Sequence, residues 1–168
     1  MIAVAERSFA VLALVAIVIT VVAGTALVTR RPPPWLADAA LPLATAIAVV
    51  ATGGSLLLSE VAGYTPCTLC WYQRIAMYPL VIVLGVAAMR GDRSAWRVSV
   101  PLSGIGAAIA IWHIAIERRP SLGGACDPAA PCSLIWVREF GFLTLPTMAL
   151  IGFVAIATLS LVARHRHA

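Results

Sequence analysis

The sequence predicts an all-α polytopic membrane protein, from its composition, its long uncharged runs and the placing of its charges. Of 168 residues, 61% are hydrophobic and 11% charged, with mean hydropathy +0.97. A typical soluble domain is about 25% charged, so disorder and an ordinary water-soluble fold are both excluded. Uncharged runs cover 8–28, 39–59, 75–89, 98–116 and 140–163. A spanning helix needs about 20 apolar residues at about 1.5 Å each. Four runs reach that length, and the run ending at Met89 reaches it by taking residues ahead of Arg74. In lipid the backbone must satisfy its own hydrogen bonds, so the runs read as helices.

The net charge of +5 comes from twelve Arg and no Lys. The arginines stand singly or in pairs at the ends of apolar runs, which leaves no basic groove for nucleic acid. Topology accounts for them. Segments 29–38, 90–97 and 164–168 hold seven Arg against Asp38 and Asp92, whereas the opposite segments hold five Arg against five acidic residues. The positive-inside rule places the first set in the cytoplasm. The expected order is an outside N-terminus, span 8–28, a cytoplasmic turn 29–38 with Pro32-Pro33-Pro34, and a span near 39–60. An outside loop to about Trp71 and a span ending at Met89 follow. The cytoplasmic turn 90–97, a span ending near Ile116, the outside loop 117–139 and a span 140–163 complete the chain. Glu6 and Arg7 cancel and Arg30-Arg31 follow the first run, which favours an uncleaved N-out helix over a signal peptide.

Several features read as structural. Gly53-Gly54-Ser55 and Gly104-Ile105-Gly106 suit close helix approach. Pro79, Pro101 and Pro146 fit helix starts or tolerated kinks. Trp35, Trp71, Tyr72, Tyr78, Trp112 and Trp136 fit an interfacial aromatic belt.

All four cysteines fall in the two expected outside loops. Cys67 and Cys70 form Cys-Thr-Leu-Cys, and Cys126 and Cys132 flank Asp-Pro-Ala-Ala-Pro. Two spans separate the loops, so both pairs share one membrane face. Three readings fit this spacing: two structural disulfides, a four-thiolate zinc site, or redox exchange through Cys-x-x-Cys. Arg74 bears on the choice. It lies four residues after Cys70, hence on one helix face, where a cation and a helix N-terminus favour a thiolate. The alternative is an arginine that snorkels to the interface. No flavin or dinucleotide fingerprint and no haem-attachment Cys-x-x-Cys-His is present, so a lipid-dissolved quinone is the natural electron acceptor. His113, the only His inside a span, could hydrogen-bond a quinone oxygen or be an interfacial residue.

The run Ser59-Glu60-Val61-Ala62-Gly63-Tyr64-Thr65-Pro66-Cys67-Thr68-Leu69-Cys70-Trp71-Tyr72-Gln73-Arg74 resembles the first outside loop of the disulfide bond formation protein B (DsbB) family. Pro131-Cys132-Ser133 and the segment from Phe140-Gly141 to Pro146 resemble its second loop and last span, and the close second pair is similar to the Gram-positive BdbC-like branch. The resemblance covers roughly residues 40–160. It implies a four-helix-bundle thiol:quinone oxidoreductase in the bacterial cell membrane, with both cysteine pairs on the extracytoplasmic face. It would reoxidise a DsbA-like thioredoxin-fold thiol oxidase and pass electrons to menaquinone or ubiquinone. By position, Cys126 would meet the partner's thiol, Cys132 would relay to Cys67, Cys70 would face the quinone and Arg74 would hold it. His113 sits where the proteobacterial branch has a quinone-pocket His. The implied domains are 1–38, an additional N-terminal transmembrane helix and turn; 39–163, the four-helix domain; and a cytoplasmic tail 164–168. Gln73 stands where some members have an acidic residue, and the long second loop of the proteobacterial branch is absent. Two rivals are a non-catalytic membrane scaffold with two structural disulfides and a vitamin K epoxide reductase-like enzyme. In the latter family, the Cys-x-x-Cys follows the loop pair instead of preceding it.

Overall fold

The structure, a computed structural model, describes residues 2–30, 32–123 and 126–164. Its helices are α1 (Ile2–Val28), α2 (Pro34–Leu56), α3 (Thr68–Arg90), α4 (Trp96–Arg118) and α5 (Leu145–Arg164). All five are long and apolar enough to cross a membrane. Helices α2, α3, α4 and α5 form a closed ring in which each packs on the next, and α1 packs along the outside of α5. This is the expected four-helix core with an added N-terminal helix.

Helix boundaries follow local chemistry more than charge. Helix α1 continues back through Glu6 and Arg7 because both charges find partners. The Tyr64 hydroxyl donates to the Glu6 carboxylate, and Arg7 pairs with Glu139 at 3.7 Å. Helix α2 starts at Pro34, whose missing N–H costs nothing at a helix start. It ends in a wider π turn over Leu57–Val61. The last span is shorter than expected. Residues before Leu145 form a hairpin in which β1 (Arg138–Glu139) pairs antiparallel with β2 (Leu143–Thr144). The turn places Phe140 and Gly141 at positive φ, 51° and 80°, so an uncharged run here hid a turn that no helix could include.

Small residues set the helix spacing. A methyl on Gly106 of α4 would come within 2.3 Å of the fully buried Phe153 ring of α5, and one on Gly54 within 3.0 Å of Phe9. Gly53 and Gly104 face open space, so only one glycine of each pair has the expected role. The buried Ser99 hydroxyl donates to Ser160 at 2.8 Å, a polar tie between α4 and α5. Trp35, Trp71, Tyr72, Trp112 and Trp136 are exposed, as a belt requires. Tyr78 is not part of it: ten residues into α3, it lies about 15 Å from the helix start and lines a cavity between the helices.

The two ends of the bundle differ. At one end, Arg93 reaches the Ala163 carbonyl at 3.3 Å and Asp38 at 3.4 Å, and Arg164 stacks over Trp96. Both cysteine pairs lie at the other end. Gly106→Ala should destabilise the bundle by about 1–3 kcal/mol through overpacking against Phe153. Thermal unfolding in nanodiscs checks this, and Phe153→Leu should restore part of the loss.

Candidate redox site

Helix α3 begins one residue after Cys67, because the Cys67 sulfur caps it by accepting the Cys70 backbone N–H at 3.3 Å. Cys70 is therefore in the first helical turn, and the helix starts a few residues ahead of the expected loop end at about Trp71. Cys67 and Cys70 are free thiols whose sulfurs lie 2.9 Å apart in a hydrogen bond. Cys126 and Cys132 are joined in a disulfide. The short second loop folds this disulfide onto the helix ends, where buried Cys67, Ile116 and Cys132 pack together with Cys70 and Cys126 at their edge. Cys132 is 2% exposed, and Cys126 is the more open of the two.

His113 ties the two pairs together. Its Nε2 lies 3.1 Å from the Cys132 carbonyl oxygen and 3.7 Å from the Cys67 sulfur, and its Nδ1 lies 3.4 Å from the Gln73 amide nitrogen. A carbonyl only accepts and an amide nitrogen only donates, so Nε2 carries the proton and Nδ1 accepts. The sequence left His113 as a quinone ligand or interfacial residue. The structure instead buries it against the cysteines, away from the large cavity described below. The Cys67 thiol is held well below its usual range. The hydrogen bond from Cys70 is the largest cause, burial opposes it, and His113 adds to the lowering. Glu117, bonded by the Thr144 hydroxyl at 2.7 Å, lines a small cavity beside both thiols.

Arg74 is 9% exposed. Its Nε donates to the Ser55 hydroxyl at 2.9 Å and an Nη to the Ser55 carbonyl at 3.0 Å, while the guanidinium lies 5.1 Å from the Trp71 ring centre. It does not snorkel: it is fixed inward against α2. Arg74 and Cys70 line one cavity of about 340 Å³, bounded by α1, α2, α3 and α5. Ser55 and Tyr78, which the sequence reading gave structural roles, and Glu117, which it gave none, all border the site. A buried arginine in one span needs a polar partner in another, which was the signal for Ser55.

Cys67, Cys70 and His113 each place a ligand atom within 4.8 Å of the others, so the reduced pair has donors for a soft metal. The four-thiolate arrangement is not formed, since Cys126 and Cys132 are bonded to each other.

Fold and site together define a multi-pass membrane protein in which a disulfide packs directly against a reduced dithiol. A family model described as disulfide bond formation protein DsbB matches residues 37–163. Among curated relatives, a probable disulfide formation protein of Oceanobacillus iheyensis is 44% identical over 117 residues, 68% of this chain and 81% of that protein. Disulfide bond formation protein C of Bacillus subtilis is 44% identical over 112 residues, 66% of this chain and 81% of its own. A probable disulfide formation protein of Metapseudomonas resinovorans is 38% identical over 123 residues, 71% of this chain and 85% of its own. No solved structure matches. The chain belongs to the DsbB family, on the side of its BdbC-like members. Its role is therefore in disulfide bond formation, as a thiol–disulfide oxidoreductase.

Because the Cys67 thiol is lowered, its thiolate should persist below the usual thiol range and disappear only as the pH falls through the depressed value. Titration of thiolate absorbance should move to higher pH in His113→Gln and further in Cys70→Ala, which removes the larger cause. Identical curves would mean that neither neighbour sets the acidity.

Proposed function

We propose that the protein reoxidises an extracytoplasmic DsbA-like thiol oxidase and delivers the electrons to membrane quinone, with both cysteine pairs on the outer face of a bacterial cell membrane. One observation carries this reading. The disulfide, the dithiol and the Arg74 cavity are contiguous, with Cys132 against Cys67 and Cys70 lining the cavity. The charge asymmetry of the turns supports the orientation.

The electron path follows from exchange chemistry. A partner thiolate attacks the more open Cys126 sulfur and releases Cys132 as thiolate, forming a mixed disulfide. The partner's second thiol then displaces Cys126, and the partner leaves oxidised. The Cys126/Cys132 dithiol reduces an oxidised Cys67–Cys70 bond through Cys132 and Cys67, and re-forms its own disulfide. Two electrons and two protons then remain on Cys67 and Cys70, the state in which the structure holds them. Cys67, the acidified thiol, gives up its proton first, and Glu117 beside the pair can take it. The Cys67 thiolate is then poised to close on Cys70.

The cavity residues fit a quinone. The walls are largely aliphatic, Arg74 has guanidinium protons left after its two bonds to Ser55, and the buried Tyr78 hydroxyl has no partner among the described residues. Bound there, a quinone would accept the electron pair and both protons. Arg74 would orient its ring and favour negative charge on an oxygen, and Tyr78 would donate to it.

A charge-assisted contact at such a site is worth about 1.5–3 kcal/mol. Arg74→Gln should therefore slow quinone-dependent turnover by roughly ten- to a hundredfold, with Arg74→Lys intermediate. Single-turnover exchange with the reduced partner should survive in both. Unchanged quinone affinity and rate in Arg74→Gln would place the acceptor elsewhere.

The cysteine roles have their own test. Mixed with the oxidised partner, Cys132→Ala should accumulate a partner–Cys126 disulfide, because the Cys126 thiolate opens the partner's disulfide and no Cys132 is left to release it, and Cys126→Ala should accumulate none. Non-reducing gels with peptide mapping read this. Equal trapping by both variants would reverse or dissolve the assignment.

A further inference from the structure

The large cavity has two chemically distinct regions. One holds Cys70, Gln73 and Arg74 near the cysteine end. The other is an aliphatic limb between α1 and α2, walled by Leu12, Val15 and Ile19 on one side and Ala46, Ile47 and Val50 on the other. Helix α1 lies outside the stretch that matches the family, 37–163, so the family core alone lacks one wall of this limb.

The way α1 is attached keeps the limb open. It buries Ala10, Ala13, Ala16, Ala23 and Ala26 and packs chiefly along α5, as a stripe of small residues allows. Against α2 it packs much less. One point of close approach is the Phe9 ring, held over Gly54 next to the Ser55 that anchors Arg74. A side chain at position 54 would displace that ring. The outer end of α1 is tied to the cysteine loops through Glu6 and Tyr64 and through Arg7 and Glu139. Helix α1 is thus fixed to α5 and to the loops, while a gap persists between it and α2. Leu12, Val15, Ala46 and Val50 are exposed, so the gap is a groove open sideways to the bilayer that an apolar chain can enter.

We propose that the limb between α1 and α2 is the subsite for the isoprenoid chain of the quinone, so that α1 supplies one wall of the acceptor site and Phe9 marks the junction between ring and chain. This rests on the quinone reading above. A single ligand with a polar ring and a branched apolar chain matches a cavity with a polar end and an aliphatic limb. A phospholipid acyl chain would share the apolar chemistry, but its headgroup belongs at the bilayer surface and makes no use of Arg74. Lipid gives the chain no hydrophobic gain on transfer, so the limb acts through shape: it fixes where the chain leaves the ring.

The test uses the full chain in nanodiscs with all four cysteines oxidised, so that no turnover intrudes. Two ligands are compared, menaquinone and dimethylnaphthoquinone, the same ring with a methyl group in place of the chain. Binding is read as saturable quenching of tryptophan fluorescence, since Trp136 lines the cavity and Trp71 stacks on Arg74. Val15→Phe on α1 and Ala46→Phe on α2 fill the limb from opposite walls. Each should weaken menaquinone binding about tenfold or more by occupying the groove and leave dimethylnaphthoquinone unchanged. Val18→Phe, exposed and outside the cavity lining, should bind both ligands as wild type does. If both filled variants bind menaquinone normally, the chain runs elsewhere and the inference is overturned. Equal weakening of both ligands overturns it too, because the limb is then not a separate subsite. If wild type binds neither ligand, the quinone reading itself fails.

Discussion

A polar group buried in lipid has no water to turn to, and the site is arranged around the protein's answer to that constraint. The Arg74 guanidinium would be costly in a span if left alone. Ser55 meets it with both a hydroxyl and a carbonyl, which binds α3 to α2 and turns the cation inward beside Cys70. His113 is satisfied in the same way, by Gln73 on one nitrogen and the Cys132 carbonyl on the other. Each bond that removes a buried polar group's penalty also positions a functional side chain. The rest of the bundle, with Phe153 seated on Gly106 and alanines along α1, holds these few contacts in register.

The membrane architecture was legible because lipid imposes a strong signal: long uncharged runs, with arginines at their ends. The grouping of the cysteines into two loops on one face and the cation one turn after Cys70 were legible from spacing, which left structural disulfides, a zinc site and redox exchange all open. Partners across helices were not. Nothing local says that Ser55 rather than Thr52 faces Arg74, or that His113 turns to Cys67 and away from the cavity, since these depend on how helices rotate against one another. The last span was overestimated for a related reason. Phe140 and Gly141 carry no charge, so hydropathy could not distinguish their turn from a helix. Tyr78 was assigned to the aromatic belt by residue type, whereas its depth in α3 makes it an interior residue.

Gln73 illustrates how one substitution changes what a site needs. Where some relatives have an acidic residue beside the arginine, this chain has a neutral amide that donates to His113. The amide makes Nδ1 the acceptor and so directs the Nε2–H toward the second loop. The histidine then works as a fixed link between two cysteine pairs.

Only six positions separate Cys126 from Cys132, and on the proposed relay this has a kinetic meaning. When the bond opens, the two sulfurs cannot drift far apart, because a short tether keeps their effective concentration high. Re-closure is then a local event, with little chain entropy to overcome. A long mobile loop would have to carry its disulfide from partner to bundle and back in every cycle. On the proposed relay no such travel is needed, because Cys132 already packs against Cys67.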